Sequence, residues 1–278
     1  MTDPGSQAAA YSATSLAWQR GPGRIYDRLA ETVVAACPVP VQGRLVLDLG
    51  AGTGAASRAL LRSGASVVAV DNAIGMLLAV AGFEAPASAG AGPGPATPPG
   101  VAGDALALPF ASGSFGAVVA AFCLNHLNHP EAGVAEAARA TAPGGAVVVS
   151  AYAEDDDHPV KAAVEQAATR AGWTPAPWYR NLKADAMPRL ATAERMAAVA
   201  AAVPALGEAR VARHEIPFPD LGPADLVAWR LGMAQLAPFV DGLDPADRVR
   251  LSREALDGLG PGPPPLVRRI LVLTALVM

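Results

Sequence analysis

The sequence predicts an α/β protein built on a doubly wound, mostly parallel sheet. Two apolar runs, Leu45–Leu49 and Ala146–Ala151, are almost uninterrupted, as is typical of parallel strands covered on both faces. The first run stops in a glycine-rich turn, and a segment with helical periodicity follows it at Ala55–Arg62. This order of strand, glycine turn and helix indicates the first half of a nucleotide-binding βαβ unit.

Length and composition narrow the class of protein. The 278 residues suffice for one enzyme domain with a sizeable insertion, and no apolar run approaches the ~20 residues needed to span a bilayer. The net charge of −4 offers no surface for nucleic-acid phosphates. The N-terminus lacks the features of a signal peptide, and there are two cysteines. We therefore expect a cytoplasmic protein with no nucleic-acid or membrane partner and no metal site, whose oligomeric state stays open.

The glycine turn reads Gly50-Ala-Gly52-Thr-Gly54 and also satisfies the dinucleotide fingerprint G-x-G-x-x-A. Asp48, two residues before the first glycine, separates the two interpretations. A carboxylate beside the turn would oppose a pyrophosphate, whereas it suits a ligand with an ammonium group.

The pattern Asp48-x-Gly50-x-Gly52-x-Gly54 resembles the first motif of class I S-adenosylmethionine-dependent methyltransferases. The resemblance implies a Rossmann-like, seven-stranded sheet and S-adenosylmethionine as the cofactor. It also implies that Gly50, Ala51 and Gly52 approach the methionine part of the cofactor, while Asp48 organises its amino group.

The second strand, Ser66–Val70, ends at Asp71, where a carboxylate can accept both hydroxyls of a ribose. An NAD enzyme would place an acid there too, so Asp71 indicates a ribose and not one cofactor. The resemblance places Asn72 or Met76 beside the adenine.

The segment Ala81–Gly103 departs from the family pattern because it is rich in proline and glycine. It predicts a mobile loop and a very short third strand. Asp104 and Ala105 then resemble the family's next signature, in which the acid takes the adenine amino group and the following backbone amide meets the ring. A solvated turn is the alternative.

The block Leu108–Phe115 resembles the one that leads into the fourth strand of small-molecule and quinone-biosynthesis methyltransferases, with Gly116 in place of the usual aspartate. The strand Ala117–Phe122 should bring Ala121 and Phe122 to the reactive edge of the cofactor. His126 and His129 follow. Either imidazole could act as a general base. His126 could instead orient the substrate or be a structural loop residue, and helix capping also explains His129.

The C-terminal half is predicted to contain a helical segment from Glu154 to about Gly207, further helices and two late strands; their predicted bounds are Glu208–Pro217, Pro223–Leu236, Pro245–Leu259 and Arg269–Val277. The inserted helices resemble a substrate cap. An aromatic cluster in this part either lines a substrate pocket or belongs to the core; its members are Trp173, Trp178 and Tyr179. The run Asp155–Asp157 is interpreted as a solvated loop.

The chain therefore divides into three parts: an N-terminal helical lid (1–40), a cofactor-binding Rossmann-like core (41–152) and late strands with cap insertions (153–278). The N-terminal helices either cover a sheet edge or close over the cofactor through Tyr11, Trp18 and Arg20, as the resemblance allows.

The functional hypothesis is an enzyme of secondary or biosynthetic metabolism that transfers a methyl group from S-adenosylmethionine to a small molecule. The alternatives are an NAD(P)-dependent oxidoreductase and a protein of this fold that no longer methylates, acting as a cyclase or a binding protein. The choice between O-, N- and C-methylation stays open.

Overall fold

The computed structural model describes residues 6–81 and 98–278. Seven strands form one sheet: β1 (Leu45–Leu49), β2 (Ser66–Asp71), β3 (Gly100–Ala102), β4 (Phe115–Ala121), β5 (Thr141–Tyr152), β6 (Arg210–Phe218) and β7 (Leu266–Leu276). Their order is β3-β2-β1-β4-β5-β7-β6. The first five strands pair in parallel, whereas β7 runs antiparallel to both β5 and β6. The predicted fold class, a doubly wound and mostly parallel sheet, is confirmed.

Twelve α-helices surround this sheet among the described residues: α1 (Gln7–Ala13), α2 (Ser15–Arg20), α3 (Gly23–Ala35), α4 (Ala55–Arg62), α5 (Ile74–Ala81), α6 (Pro130–Ala140), α7 (Pro159–Arg170), α8 (Pro177–Asn181), α9 (Ala193–Ala201), α10 (Pro223–Leu231), α11 (Ala237–Gly242) and α12 (Pro245–Leu259). Short 3₁₀ and π turns span Leu124–His126, Leu182–Ala186 and Met187–Leu190. Within the two described ranges, no helix is long and apolar enough to cross a bilayer.

The alternation of side chains along the central strands divides the core into two layers. Val46 and Val119 face the layer that packs on α3, α4, α7, α10 and α12. Leu47 and Val118 face the opposite layer, which packs on α6 and α9. Because both faces are covered, the strands are apolar throughout, which is the pattern that made them recognisable in the sequence.

The predicted bounds differ from the structure in several places. The predicted helix Pro223–Leu236 ends at Leu231, and a separate helix, α11, follows it. Strand β5 begins at Thr141, before the predicted start at Ala146, because the backbone of Gly144 and Gly145 bonds with Val277. The third strand is very short, as predicted, while residues 82–97 of the proline-rich segment lie outside the described residues.

The interpretation of Asp155–Asp157 as a solvated loop is wrong for its middle residue. Asp156 is 8% exposed and its carboxylate accepts hydrogen bonds from the Arg268 guanidinium at 2.7 and 3.0 Å and from the backbone N–H of Arg269 at 2.8 Å. Burial opposes ionisation of Asp156, but the Arg268 charge holds its pKa below the ordinary value. Asp155 and Asp157 do remain exposed.

Candidate active site

The main cavity lies at the carboxyl ends of β1, β2 and β4, where open parallel sheets bind ligands. The structure brings all eleven cofactor residues named from the sequence to its walls: Asp48, Gly50, Ala51, Gly52, Asp71, Asn72, Met76, Asp104, Ala105, Ala121 and Phe122. Helices α1 and α2 cover the cavity and contribute Tyr11 and Trp18 to it. The segments that are remote in sequence therefore meet at one sheet edge.

The glycine turn is held in a conformation that other residues adopt with strain. Gly50, Gly52 and Gly54 have φ angles of 69°, 54° and 83°. A Cβ atom on Gly50 would lie 2.3 Å from Cys123 Sγ, so this turn packs directly against the end of β4. The backbone N–H of Gly50 also donates to Val70 O at 2.8 Å, which ties the turn to β2.

Asp48 is a buried carboxylate at the base of this cavity, with 1% of its surface exposed. Burial raises its pKa to about 6, although a hydrogen bond from Ser57 Oγ at 2.6 Å acts in the opposite direction. A carboxylate in such a place gains a favourable partner when a cation enters the cavity.

Asp71 braces the glycine turn in addition to lining the cavity. One carboxylate oxygen accepts the backbone N–H of Gly52 and the other accepts that of Ala73, each at 2.8 Å. Burial raises the pKa of Asp71, while these hydrogen bonds favour its ionised form. The sequence pointed to Asp71 as a ribose acceptor, but nothing in the local pattern indicated that it also fixes the turn.

Asp104 lies exposed at the rim of the cavity, where its Oδ1 accepts the backbone N–H of Leu106 at 2.9 Å. Gly103 brings this segment close to β2, because a Cβ atom there would lie 2.8 Å from Val70 Cγ2.

Phe122 is the one non-glycine residue with a positive φ, 55°, among those described. Its backbone N–H donates to both the carbonyl oxygen and the hydroxyl of Ser150, at 3.2 and 3.1 Å. Its ring stacks on Tyr152 at 4.6 Å and meets the edge of Tyr26 at 5.5 Å. Such a backbone conformation costs about 1–3 kcal/mol, and these contacts hold it at the reactive edge.

The N-terminal helices form a roof with an aromatic lining. The Tyr11 ring lies 5.6 Å from that of Trp18, and the Trp18 ring lies 4.8 Å from that of Tyr26. All three residues line the cavity. Arg20, the third residue expected in a lid, is exposed and does not line it, since it lies at the end of α2 that faces solvent.

The two candidate histidines occupy different environments. His126 lines the cavity, and burial lowers its pKa to about 4. A base with so low a pKa takes up a proton poorly near neutral pH, which argues against general-base catalysis. The His129 side chain is 72% exposed, contacts Glu131 and lies outside the cavity. His129 does precede α6, but its side chain makes no capping hydrogen bond.

The aromatic cluster of the predicted cap does not line the main cavity. Trp173 donates from Nε1 to Gln235 O at 3.0 Å, and with Tyr179 it borders a separate cavity. The Trp178 ring lies 6.3 Å from that of Tyr11, behind the roof. The apolar wall of the main cavity comes instead from the N-terminal helices and Phe122.

The comparisons with known proteins agree with this geometry. Residues 47–149 match the family model described as "Methyltransferase domain". Over these residues the chain is similar to a methyltransferase domain. A demethylmenaquinone methyltransferase of Renibacterium salmoninarum is 37% identical over 148 residues, which are 52% of this chain and 55% of that protein. The chain thus spans about half the length of the curated relatives it matches.

Solved structures of low sequence identity share this fold. A protein of Thermotoga maritima described as a SAM-dependent methyltransferase is 14% identical, with a TM-score of 0.54 over 97% of this chain and 99% of that one. Phosphoethanolamine N-methyltransferase 2 of Haemonchus contortus, in complex with S-adenosyl-L-methionine, is 16% identical, with a TM-score of 0.52 over 90% of this chain and 52% of that one.

Proposed function

We propose that the protein transfers a methyl group from S-adenosylmethionine to a small-molecule acceptor. The observation that carries the proposal is the convergence of the eleven predicted residues on one cavity whose base holds the buried carboxylate of Asp48. The parts of the chain are assigned accordingly: 1–40 is the lid, 41–152 is the cofactor core and 153–278 is the cap with the late strands. We further propose a cytoplasmic location, in keeping with two cysteines that are both unpaired.

The cofactor has an amino group and a sulfonium, and Asp48 is the residue that suits such charges. Its pKa of about 6 leaves it mostly ionised at neutral pH, and a cation in the cavity favours that form. The pyrophosphate of NAD would instead face a buried negative charge. This contrast favours S-adenosylmethionine over NAD(P).

The adenosine end of the cofactor fits the other side of the cavity. Asp71 keeps acceptor capacity for ribose hydroxyls, because each carboxylate oxygen has two lone pairs and gives one to a backbone N–H. Asn72 and Met76 offer a wall for the adenine, and Asp104 and Ala105 stand at the rim where its amino edge would lie.

The acceptor faces an apolar and aromatic wall formed by Tyr11, Trp18, Tyr26 and Phe122. Such a wall suits a planar, mostly apolar molecule. Because curated relatives are named demethylmenaquinone methyltransferases, we propose a reduced quinone as the first acceptor to try.

We propose that the residues lining the cavity act mainly by positioning the reactants and excluding water, and less by transferring protons. When bound, S-adenosylmethionine supplies an electrophilic methyl group with a good leaving group. The glycine turn and Asp71 hold the cofactor, the aromatic roof excludes water and orients the acceptor, and His126 stays neutral near pH 7. An acceptor that is nucleophilic without a strong base therefore fits this site.

Two measurements test the proposal. Calorimetric titration should show binding of S-adenosylmethionine and its demethylated product but not of NAD. Incubation with methyl-labelled S-adenosylmethionine and reduced demethylmenaquinone, beside amine and phenol acceptors, should then label one acceptor. Tight NAD binding without any response to S-adenosylmethionine would refute the proposal. Cofactor binding with no transfer to any acceptor in a wide panel would favour a protein that keeps the fold but does not methylate.

A further inference from the structure

Helix α1 packs against α5 at a close contact between Ser12 and Gly75, which we call the Gly75 seat. A Cβ atom on Gly75 would lie 2.2 Å from the carbonyl oxygen of Ser12, so α1 packs on the first turn of α5 where only glycine leaves room. The backbone N–H of Gly75 also donates to Ser12 Oγ at 3.3 Å. The position of α1 is therefore specified by the structure beneath it.

With α1 docked on the Gly75 seat, two of its residues lie beside His126. Gln7 and Tyr11 are four residues apart and thus lie on one face of the helix, and both line the cavity. The Gln7 amide nitrogen lies 2.5 Å from His126 Nδ1, and the Tyr11 ring meets the imidazole edge-on at 5.6 Å. The hydrogen bond thus joins two residues whose positions in the sequence differ by 119.

The chemistry of the contact fixes the tautomer of the imidazole. With the Gln7 amide nitrogen toward the ring, as in the structure, Nδ1 of His126 accepts the hydrogen bond, and the proton of the neutral ring resides on Nε2. No other described residue hydrogen-bonds to Nε2, and His126 lines the cavity, so Nε2 is the ring nitrogen left to meet a ligand.

We propose that Gln7 is a positioning residue that holds His126 with its proton on Nε2, so that His126 donates a hydrogen bond to an oxygen atom of the methyl acceptor. This role in transfer rests on the proposed function. It narrows the acceptor to molecules that bind as oxyanions, with their proton already lost to solvent, such as a phenolate, an enolate or the anion of a reduced quinone. No proton then has to be taken up within the site. It also replaces the hypothesis of a general base, because a nitrogen that already carries a proton cannot take another from the acceptor.

The tautomer can be measured without any activity. The full chain labelled with ¹⁵N-histidine gives signals from its four histidines, and His126→Asn identifies the one of interest. At pH 8, long-range ¹H–¹⁵N correlation should show His126 protonated on Nε2 in the native protein. Gln7→Glu should move the proton to Nδ1, because a carboxylate accepts, and Gln7→Met should give a mixture of both tautomers. Gln19→Glu, an exposed glutamine of α2, is the matched control and should change nothing.

The kinetic consequence is measured on the same variants with reduced demethylmenaquinone. Gln7→Glu should lower kcat/KM for the acceptor by about 10–100-fold, because a charged hydrogen bond that favours the anionic form of the acceptor is lost, with the KM for S-adenosylmethionine within about twofold of native. A native His126 protonated on Nδ1, or a tautomer that Gln7→Glu leaves unchanged, overturns the proposal. The expected tautomers together with no transfer to any acceptor would refute the proposed function and the donor role that rests on it, while the positioning of His126 by Gln7 would stand.

Discussion

Three aspartate variants distinguish a carboxylate that holds the glycine turn in place from one that only stabilises the folded protein. Asp71→Ala removes the acceptor of two backbone N–H groups, those of Gly52 and Ala73. Asp156→Ala removes the partner of a buried guanidinium, that of Arg268. Asp157→Ala changes a side chain that is 83% exposed, so it serves as the control.

The expected magnitudes differ between the three variants. Asp71→Ala should cost about 2–4 kcal/mol of unfolding free energy for its two orphaned donors, and about 1.5–3 kcal/mol of cofactor binding, which is 10–150-fold in Kd. Asp156→Ala should cost about 3–5 kcal/mol of stability because it leaves Arg268 charged and buried. Its effect on cofactor affinity should stay within about threefold, since Asp156 does not line the cavity. Asp157→Ala should change stability by less than about 0.5 kcal/mol.

The assay is urea unfolding followed by tryptophan fluorescence, together with calorimetric titration of S-adenosylmethionine into each folded variant. We expect Asp71→Ala to lower both the free energy of unfolding and the affinity for S-adenosylmethionine, and Asp156→Ala to lower only the free energy of unfolding. An Asp71→Ala protein that binds S-adenosylmethionine with native affinity would show that this carboxylate neither braces the turn nor meets the ribose. Loss of affinity in Asp157→Ala would indicate a global effect that invalidates the comparison.

Three further predictions follow from the cavity. Gly50→Ala should destabilise the protein by at least about 2 kcal/mol and abolish cofactor binding, whereas Gly43→Ala, with a similar positive φ of 71° but nothing within 4 Å, should cost about 1 kcal/mol and leave binding intact; urea unfolding and calorimetry compare them. Gly75→Ala should displace α1 and expose the N-terminus to limited proteolysis, whereas Gly100→Ala, whose nearest contact would be at 3.6 Å, should not, and equal cleavage of the two variants would contradict the seat. Affinity for S-adenosylmethionine should rise about tenfold from pH 5 to pH 7 as Asp48 ionises through its pKa of about 6, and Asp48→Asn should show no such rise; a pH-independent native affinity would count against the role of this carboxylate.

Much of the cavity lining could be predicted from the sequence because its signals are local. Asp48 and the glycines lie within one turn, and Asp71 follows directly on a strand whose apolar run is visible. To place such a residue at the site, it is enough to recognise the strand that it follows, because the carboxyl ends of parallel strands lie at one edge of the sheet. The fold class followed from the same runs.

The remainder depends on contacts between distant segments, which one sequence does not display. Asp156 reads as one of three exposed acids until β7 brings Arg268 to it across 112 residues. The sequence leaves Trp173 between a pocket and the core, and only the fold shows that its indole N–H bonds to a backbone carbonyl 62 residues away, beside a second cavity. The contact of Gln7 with His126 is of the same kind: no spacing rule connects the first turn of α1 to the segment after β4.

That contact also links closure of the cavity to the chemistry inside it. Helix α1 has seven residues and none is buried, and a helix of this length is marginal on its own in water. Its docking must therefore come from the Gly75 seat, the ring contacts of Tyr11 and the hydrogen bond to His126. Displacement of α1 would remove from His126 the donor that selects its tautomer and would also open the cavity to water. We therefore expect the hydrogen-bond donor proposed for the acceptor to be fixed only while α1 covers the cavity.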